Sequence, residues 1–146
     1  MAHLSRRPID VPGLTAQVES PSRGAIASFI GLVRDHHEGR SVLRLEYSAY
    51  EPMAEAECIR IIADAEARWP VAVALRHRLG ALAVGETAVA VVVAADHRGD
   101  AFDACRHVIE QVKSRVPIWK REYYADGSVA WVDPTAPAGV QPAASP

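Results

Sequence analysis

The stretch Lys113-Ser-Arg-Val-Pro-Ile-Trp-Lys120 marks the point where a helix must give way to an extended segment. Pro117 has no amide hydrogen and disfavours helical angles at the residue before it, so a helix that begins at about Asp100 should end near Arg115. Lys113 then lies on the last helical turn, and Lys120 lies on an extended segment that can fold back beside it. The stretch predicts an anion-binding site close to the tryptophan. In the simpler interpretation, the helix ends in solvated cations, as its dipole favours.

Upstream of this stretch, apolar and polar residues alternate in blocks. Residues 24–33 form an apolar run that predicts a buried strand, and residues 34–40 are wholly polar and predict a loop. Residues 42–50 alternate, with Leu43 and Leu45 on the apolar side, which is typical of a half-buried strand.

The remaining segments predict two main helices and further strands. One helix should start at Pro52 and end near Trp69, and the other is the helix from Asp100, with Phe102 on its buried face. The further predicted strands are residues 71–78, 87–95, 118–124 and 128–132. This order predicts an α+β fold, a mostly antiparallel sheet with two main helices packed on it. Residues 1–133 are predicted to form one domain, and the Pro/Ala-rich residues 134–146 a disordered tail.

The composition is that of a globular protein and excludes several classes. Of 146 residues, 49% are hydrophobic and 23% charged, with a formal net charge of −2. A general nucleic-acid binder would carry a basic excess. We find neither a signal region nor an apolar run long enough for a membrane span. Cys58 and Cys105 fall in apolar helical patterns, which predicts buried thiols and a cytoplasmic protein.

The candidate site residues are cationic and lie near the ends of predicted elements. They are Arg34, His97, Arg98, Lys113 and Lys120. Such a set suits a phosphorylated substrate and an anionic transition state, although the His-Arg pair could equally face solvent. No glycine-rich nucleotide loop occurs, and the adjacent histidines of the polar loop point to different sides of an extended chain, so neither cofactor nor metal is predicted.

Five strings along the chain together carry a family resemblance. They are Ser28-Phe-Ile-Gly-Leu-Val-Arg-Asp-His36, Leu45-Glu-Tyr-Ser-Ala-Tyr-Glu-Pro-Met-Ala54, His77-Arg-Leu-Gly80 with Val84-Gly-Glu86, His97-Arg98 with Ala101-Phe102, and Lys113-Ser-Arg-Val-Pro-Ile-Trp-Lys120. In this order they closely resemble the large, catalytic subunits of molybdopterin synthases, the MoaE family, from about residue 24 to residue 132.

The resemblance implies an α/β-hammerhead fold and a sulfurtransferase. It implies a homodimer that binds a small ubiquitin-like sulfur carrier at each end, giving a heterotetramer. The thiocarboxylate at the carrier's C-terminal Gly-Gly would give its sulfur to cyclic pyranopterin monophosphate. Two transfers would build the dithiolene of molybdopterin and open the cyclic phosphate.

Site residues carry over from the same resemblance. The two lysines of the proline-break motif correspond to Lys113 and Lys120, which are expected to be catalytic. Arg34, His97 and Arg98 are expected to bind substrate. We expect desolvation beside Trp119 and a neighbouring cation to favour a neutral lysine. All five residues must then converge in one partly sheltered hollow of the assembled dimer.

Two other interpretations of the sequence differ from this one. A non-catalytic protein could use the cations to bind a phosphorylated small molecule while it docks a protein partner. An enzyme could instead relay sulfur through Cys58 or Cys105, although apolar helix faces disfavour the thiolate form.

Overall fold

The computed structural model describes residues 2–132, which form two β-sheets and three helices. The elements in chain order are β1 (Leu4–Ser5), α1 (Val11–Val18), β2 (Ala25–Leu32), β3 (His36–His37), β4 (Arg40–Ala49), α2 (Glu51–Arg68), β5 (Val71–Arg78), β6 (Gly80–Ala83), β7 (Thr87–Ala95), α3 (Arg98–Arg115), β8 (Ile118–Tyr124) and β9 (Val129–Val132). Apart from β1, which runs parallel to β5, all strand pairs are antiparallel, so the predicted α+β class is confirmed.

The first sheet has the strand order β1-β5-β7-β2 and contains most of the core. Its central strand β7 is a run of alanine and valine that is buried on both faces, because α3 covers one face and α1 the other. The long α2 also packs on β5, and short α1 lies in the N-terminal segment, ahead of the two main helices that were predicted.

Strand β2 lies at an edge of this sheet, so the prediction that residues 24–33 form a buried strand is half right. The strand exists, but Ile26 is 46% and Leu32 56% exposed. A strand with one neighbour leaves its other edge to solvent or to another chain, and an apolar composition does not reveal that position.

The second sheet has the order β3-β4-β8-β9, with β6 pairing to β4. The predicted loop at residues 34–40 is wrong in part, because His36 and His37 pair with the start of β4. Glu38 and Gly39 have positive φ and form the two-residue turn of this hairpin. A bulge between Val42 and Arg44 shifts the strand register, so Leu43 is 56% exposed and its predicted inward position is wrong.

The two long helices begin and end close to their predicted bounds, but Phe102, which was predicted to lie on the buried face of the second, does not. Phe102 is 64% exposed, whereas Ala101 and Ala104 face the core. Small side chains at these positions permit close packing of α3 on the sheet, and this outweighs the burial of one phenylalanine. Arg115, at the end of α3, holds the helix to α2 through Glu57 at 2.7 Å.

The junction between α3 and β8 confirms the predicted end of the helix. Val116 leaves the helix in an extended conformation, and its amide donates to the Val112 carbonyl at 3.1 Å. The Pro117 carbonyl then accepts a hydrogen bond from the Tyr50 amide at 3.2 Å. These contacts direct the chain back along β4.

The predicted tail, residues 134–146, lies outside the described residues, and the domain boundary stays a prediction. Between residues 2 and 132, no helix combines the length and the apolar character that crossing a bilayer requires.

Candidate active site

Lys113 and Lys120, seven residues apart, meet where β8 turns back beside the end of α3. The pairing of β8 with β4 places Lys120 opposite Tyr47. Burial is the largest cause that lowers the pKa of Lys113, and the charges of Lys120 and Arg34 lower that pKa further. Two of the five predicted site residues, Lys120 and Arg34, therefore lie close enough to a third, Lys113, to shift its pKa.

The chain contains no other lysine, although it has fourteen arginines among its sixteen Lys and Arg residues. Arginine stays charged at all ordinary pH values, whereas a lysine amine with a lowered pKa can lose a proton. The only two side-chain amines of the protein are thus placed together, in a setting that favours the neutral form of one of them.

A small cleft beside the Lys113 side chain is walled by residues from both sheets. Its lining consists of Tyr47, His77, Val112, Lys113, Val116 and Ile118. Burial and the nearby Glu122 carboxylate raise the pKa of Tyr47 to about 12, and Arg34 opposes this shift. The phenol therefore stays protonated at neutral pH.

Trp119 does not provide the shelter that we expected. Side chains alternate along a strand, so Trp119 and Lys120 point to opposite faces of β8. The Trp119 ring contacts the Tyr50 ring at 4.8 Å between centroids. Aliphatic side chains of the cleft replace it as the desolvating surface.

Glu122 is a buried carboxylate beneath the cations and was not predicted. It is 3% exposed, and its Oε2 lies 3.7 Å from Lys120 Nζ. Its Oε1 accepts a hydrogen bond from the Tyr124 hydroxyl at 3.0 Å and contacts His37 Nδ1. The spacing to Lys120 is a signal that could have revealed it, because residues i and i+2 of a strand share a face.

Arg34 lies beside the cleft, and the backbone hydrogen bonds of Val33, the residue before it, fix its position. The Val33 amide donates to the Glu86 carbonyl at 3.0 Å, and the Val33 carbonyl accepts from the Gly85 amide at 2.9 Å. Within residues 2–132, the Arg34 guanidinium makes no ion pair or hydrogen bond with another side chain, and it is available to an anion.

His97 and Arg98 are exposed at the opposite end of α3. Fifteen residues separate Arg98 from Lys113 on this helix, which corresponds to roughly 22 Å along the axis. One protomer therefore does not bring all five predicted residues into one hollow, and their convergence in an assembled dimer stays a prediction. His97 is the N-cap residue, but its side chain caps no helix amide.

Neither cysteine is suited to sulfur relay. Burial, with contributions from two nearby glutamates, raises the pKa of Cys58 to about 12, and burial also raises the pKa of Cys105. Both remain thiols at neutral pH, and a thiol is a poor nucleophile. Within residues 2–132 we find no group of three or more potential metal-binding side chains.

Fold and site together define an α+β protein in which two lysines and an arginine surround a small cleft. The model of the MoaE protein family matches residues 4–115. A relative from Nostoc sp. (strain PCC 7120 / SAG 25.82 / UTEX 2576), called molybdopterin synthase catalytic subunit, is 40% identical over 127 residues, which are 86% of this chain and 77% of the relative. The chain belongs to the MoaE family.

Solved structures agree with this assignment. The crystal structure of molybdopterin synthase from Staphylococcus aureus matches with a TM-score of 0.84 and 34% identity, over 88% of this chain and 94% of the other. A chain in a protein–protein complex of subunits 1 and 2 of molybdopterin-converting factor from Helicobacter pylori 26695 matches with a TM-score of 0.71 over 96% of this chain and 92% of that one. Its identity is 20%, so this second likeness concerns the fold alone.

The Glu122 network makes a prediction about stability. We expect Glu122→Ala to lower the free energy of unfolding by about 2 to 3 kcal/mol, because the Tyr124 hydroxyl and Lys120 lose a buried partner. Glu122→Gln should cost about 1 kcal/mol, since its amide oxygen still accepts a hydrogen bond. Urea unfolding measures both. The matched control is Glu38→Ala, whose 80% exposed carboxylate lies 3.8 Å from the other nitrogen of His37 and should matter little. An alanine variant as stable as the wild type would contradict the network.

The lowered pKa of Lys113 makes a second prediction. Because the unfolded chain holds this proton more tightly, the charged lysine costs stability at pH 7, and the cost fades as pH rises from the lowered pKa towards 10.5. We expect Lys113→Met to stabilise the protein at pH 7 by up to about 1 kcal/mol. The gain is modest because the lysine residue as a whole is exposed to solvent, so water screens the repulsion.

Denaturant unfolding at pH 7 and pH 10 tests the Lys113 prediction, and the gain should shrink at the higher pH. Arg106→Met is the matched control on the same helix, since Arg106 pairs with Glu110 at 2.7 Å and its replacement should not stabilise. A Lys113→Met protein that is less stable than the wild type at pH 7 would contradict the interpretation.

Proposed function

We propose that this chain is the catalytic subunit of a molybdopterin synthase and acts in the cytoplasm as a sulfurtransferase. Membership of the MoaE family and the names of its relatives support the general activity. The observation that carries the chemistry is the meeting of the only two lysines with Arg34 beside a buried glutamate. A reaction between an anionic sulfur donor and a phosphorylated substrate needs such a site.

The proposed substrate is cyclic pyranopterin monophosphate, and the proposed donor is a carrier that ends in a Gly-Gly thiocarboxylate. In each transfer, the thiocarboxylate sulfur forms a bond to a substrate carbon and displaces an oxygen from that carbon. In one transfer this oxygen belongs to the cyclic phosphate, whose ring opens, and in the other it is a hydroxyl, which leaves as water. Addition of water then breaks the acyl–sulfur bond, so the carrier leaves as a carboxylate and the sulfur stays on the substrate. Two transfers supply both sulfur atoms of the dithiolene.

Each cation of the site has a proposed role in this reaction. Arg34 binds the cyclic phosphate, because a guanidinium offers two parallel donors to phosphate oxygens. Lys113 acts in its neutral form as proton shuttle or as nucleophile towards the carrier's acyl group. Lys120, held over Glu122, remains a cation and stabilises the thiocarboxylate or the oxyanion that develops from it.

The remaining predicted residues suggest the assembly. His97 and Arg98 contribute to the same reaction only if a second copy supplies them, given their distance from Lys113. Next to them, an apolar patch lies on the edge strand β2 and on α3. Its exposed members are Ile26, Phe29, Leu32 and Phe102. We propose a homodimer through this patch, with one carrier bound at each end, which gives a heterotetramer.

Turnover tests the catalytic assignment. The purified chain, mixed with thiocarboxylated carrier and cyclic pyranopterin monophosphate, should form dithiolene product. We expect Lys113→Ala to lower the rate at least about 100-fold, because the group that moves the proton or attacks the acyl carbon is lost, while the fold and carrier binding persist.

Arg34→Ala is the companion variant and should mainly raise KM, since it removes a phosphate contact. Near-normal turnover by Lys113→Ala would refute the lysine assignment. Absence of product with the wild type, together with tight binding of the substrate, would favour the non-catalytic binding protein.

Mixing two inactive variants tests whether one active site takes residues from both copies of the dimer. If a dimer combines Lys113 of one copy with Arg98 of the other, a mixture of Lys113→Ala and Arg98→Ala proteins contains heterodimers with one intact site. After unfolding and refolding together, about a quarter of the wild-type activity should return, as random pairing predicts. Mass spectrometry of intact complexes gives the fraction of heterodimer. Heterodimers without activity would contradict the arrangement.

A further inference from the structure

His77 is a buried histidine that the proposed roles leave unused. It lies on β5, is 5% exposed, and lines the same cleft as Lys113. Its ring meets the ring of Tyr47 edge-on, with centroids 4.9 Å apart and an angle of 84° between planes. Its neighbour Arg78 has a structural partner, since its guanidinium lies 3.6 Å from Glu86. Within residues 2–132, the cleft-facing side of the histidine has no ion pair or hydrogen bond of this kind.

A single hydrogen bond determines which ring nitrogen of His77 carries the proton. Nδ1 lies 2.7 Å from the backbone carbonyl oxygen of Arg78. A carbonyl oxygen only accepts hydrogen bonds, so Nδ1 carries the hydrogen and Nε2 keeps its lone pair. Within residues 2–132, Nε2 has no hydrogen-bond partner. His77 Nε2 is thus a hydrogen-bond acceptor of fixed orientation in the wall of the cleft beside Lys113.

The cleft is too small for His77 to contact a pterin. Its volume is about 10 Å³, which is close to the space of one water molecule. A lysine amine or one water fits between the ring and the Lys113 stem, but a substrate does not. Whatever His77 contributes to the reaction must therefore act through a polar side chain of the cleft wall, which is Tyr47 or Lys113, and of these two Lys113 has the proposed role in sulfur transfer.

We propose that His77 is a positioning residue for Lys113, and that its Nε2 accepts a hydrogen bond from the Lys113 amine, directly or through one water. This inference rests on the proposed role of Lys113 in sulfur transfer. An amine with one N–H directed at His77 has its lone pair, or its remaining proton, aimed away from the cleft wall and towards the substrate. Such orientation is worth one to two orders of magnitude in rate.

His77 does not serve as the base that deprotonates Lys113. Burial lowers the pKa of His77 to about 4, and the Lys113 charge lowers it further, against the bond to Arg78. At pH 7 roughly one ring in a thousand is protonated. A neutral imidazole can hold the amine without adding to the positive charge, which a cationic partner could not.

Several titratable groups surround this pair and must be considered in any pH profile. Lys113 faces His77 from α3, and Tyr47 faces it from β4. Lys120 and Glu122 on β8 lie beyond them, and Arg34 lies at the rim. The neighbours of His77 in its own sheet are a β7 valine, Val89, and Leu4 of β1, neither of which titrates.

The experiment exploits the presence of only two lysines. With ¹⁵N-lysine, the full-length protein gives two Nζ signals, so the pKa of Lys113 can be followed by NMR without turnover. His77→Phe keeps the ring shape and removes the acceptor, whereas His77→Gln supplies an amide that can donate to the Arg78 carbonyl and still accept from the amine. His107→Phe is the matched control. His107 lies on α3, away from the cleft, and its ring contacts the edge of the Trp69 ring.

We expect His77→Phe to lower kcat about tenfold to a hundredfold with little change in KM, and to lower the pKa of Lys113, because a hydrogen bond that favours its charged form is gone. His77→Gln should recover most of kcat and most of the Lys113 pKa, and His107→Phe should change neither quantity. An unchanged Lys113 titration with kcat within twofold of wild type in His77→Phe would overturn the proposal.

A measurement on the wild type keeps the proposal testable if the variants do not fold. The ¹⁵N spectrum of labelled histidine should show His77 with its proton on Nδ1, and the Nε2 signal should move when Lys113 titrates. A proton on Nε2 would overturn the proposal. Failure of the wild type to form dithiolene would contradict the proposed function instead, and would leave these NMR results to be judged separately.

Discussion

The reversal of the chain at Val116 and Pro117 is the constraint on which the site depends. A helix cannot continue through this proline, and the extended chain that follows pairs with β4. The Pro117 carbonyl is in turn held by the Tyr50 amide, at the start of α2. One local restriction thus joins the end of α3, the second sheet and the second helix, and it brings together two lysines that a continuous helix would separate by roughly 10 Å along its axis.

The electrostatics of the site are those of an incomplete ion cluster. The charges of Lys120 and Arg34 repel that of Lys113, and within residues 2–132 Glu122 is the one buried carboxylate among them. Such repulsion costs stability in the free protein and is relieved by a bound anion, so folding and ligand binding draw on the same interaction. The use of lysine at these two positions, in a chain that otherwise uses arginine, leaves one cation able to give up its proton.

Local sequence signals predicted where helices begin and end better than they predicted which side chains are buried. Pro52 and Pro117 give sharp local restrictions, so the start of α2 and the end of α3 were predicted to within a residue or two. Phe102 and Leu43 were assigned to the core on hydrophobicity, but their burial depends on helix rotation and on a β-bulge. Both are set by packing against distant residues, which no local pattern contains.

The sequence by itself determined the α+β class, the helix end at the proline and the cationic character of the site, since these follow from backbone sterics and side-chain chemistry. Only the tertiary structure decided which cations meet. Strand pairing placed Tyr47 opposite Lys120 and revealed Glu122 beneath it, and a rigid α3 kept His97 and Arg98 away. Contacts between residues far apart in the chain depend on register and helix length in three dimensions, and these arise from global packing.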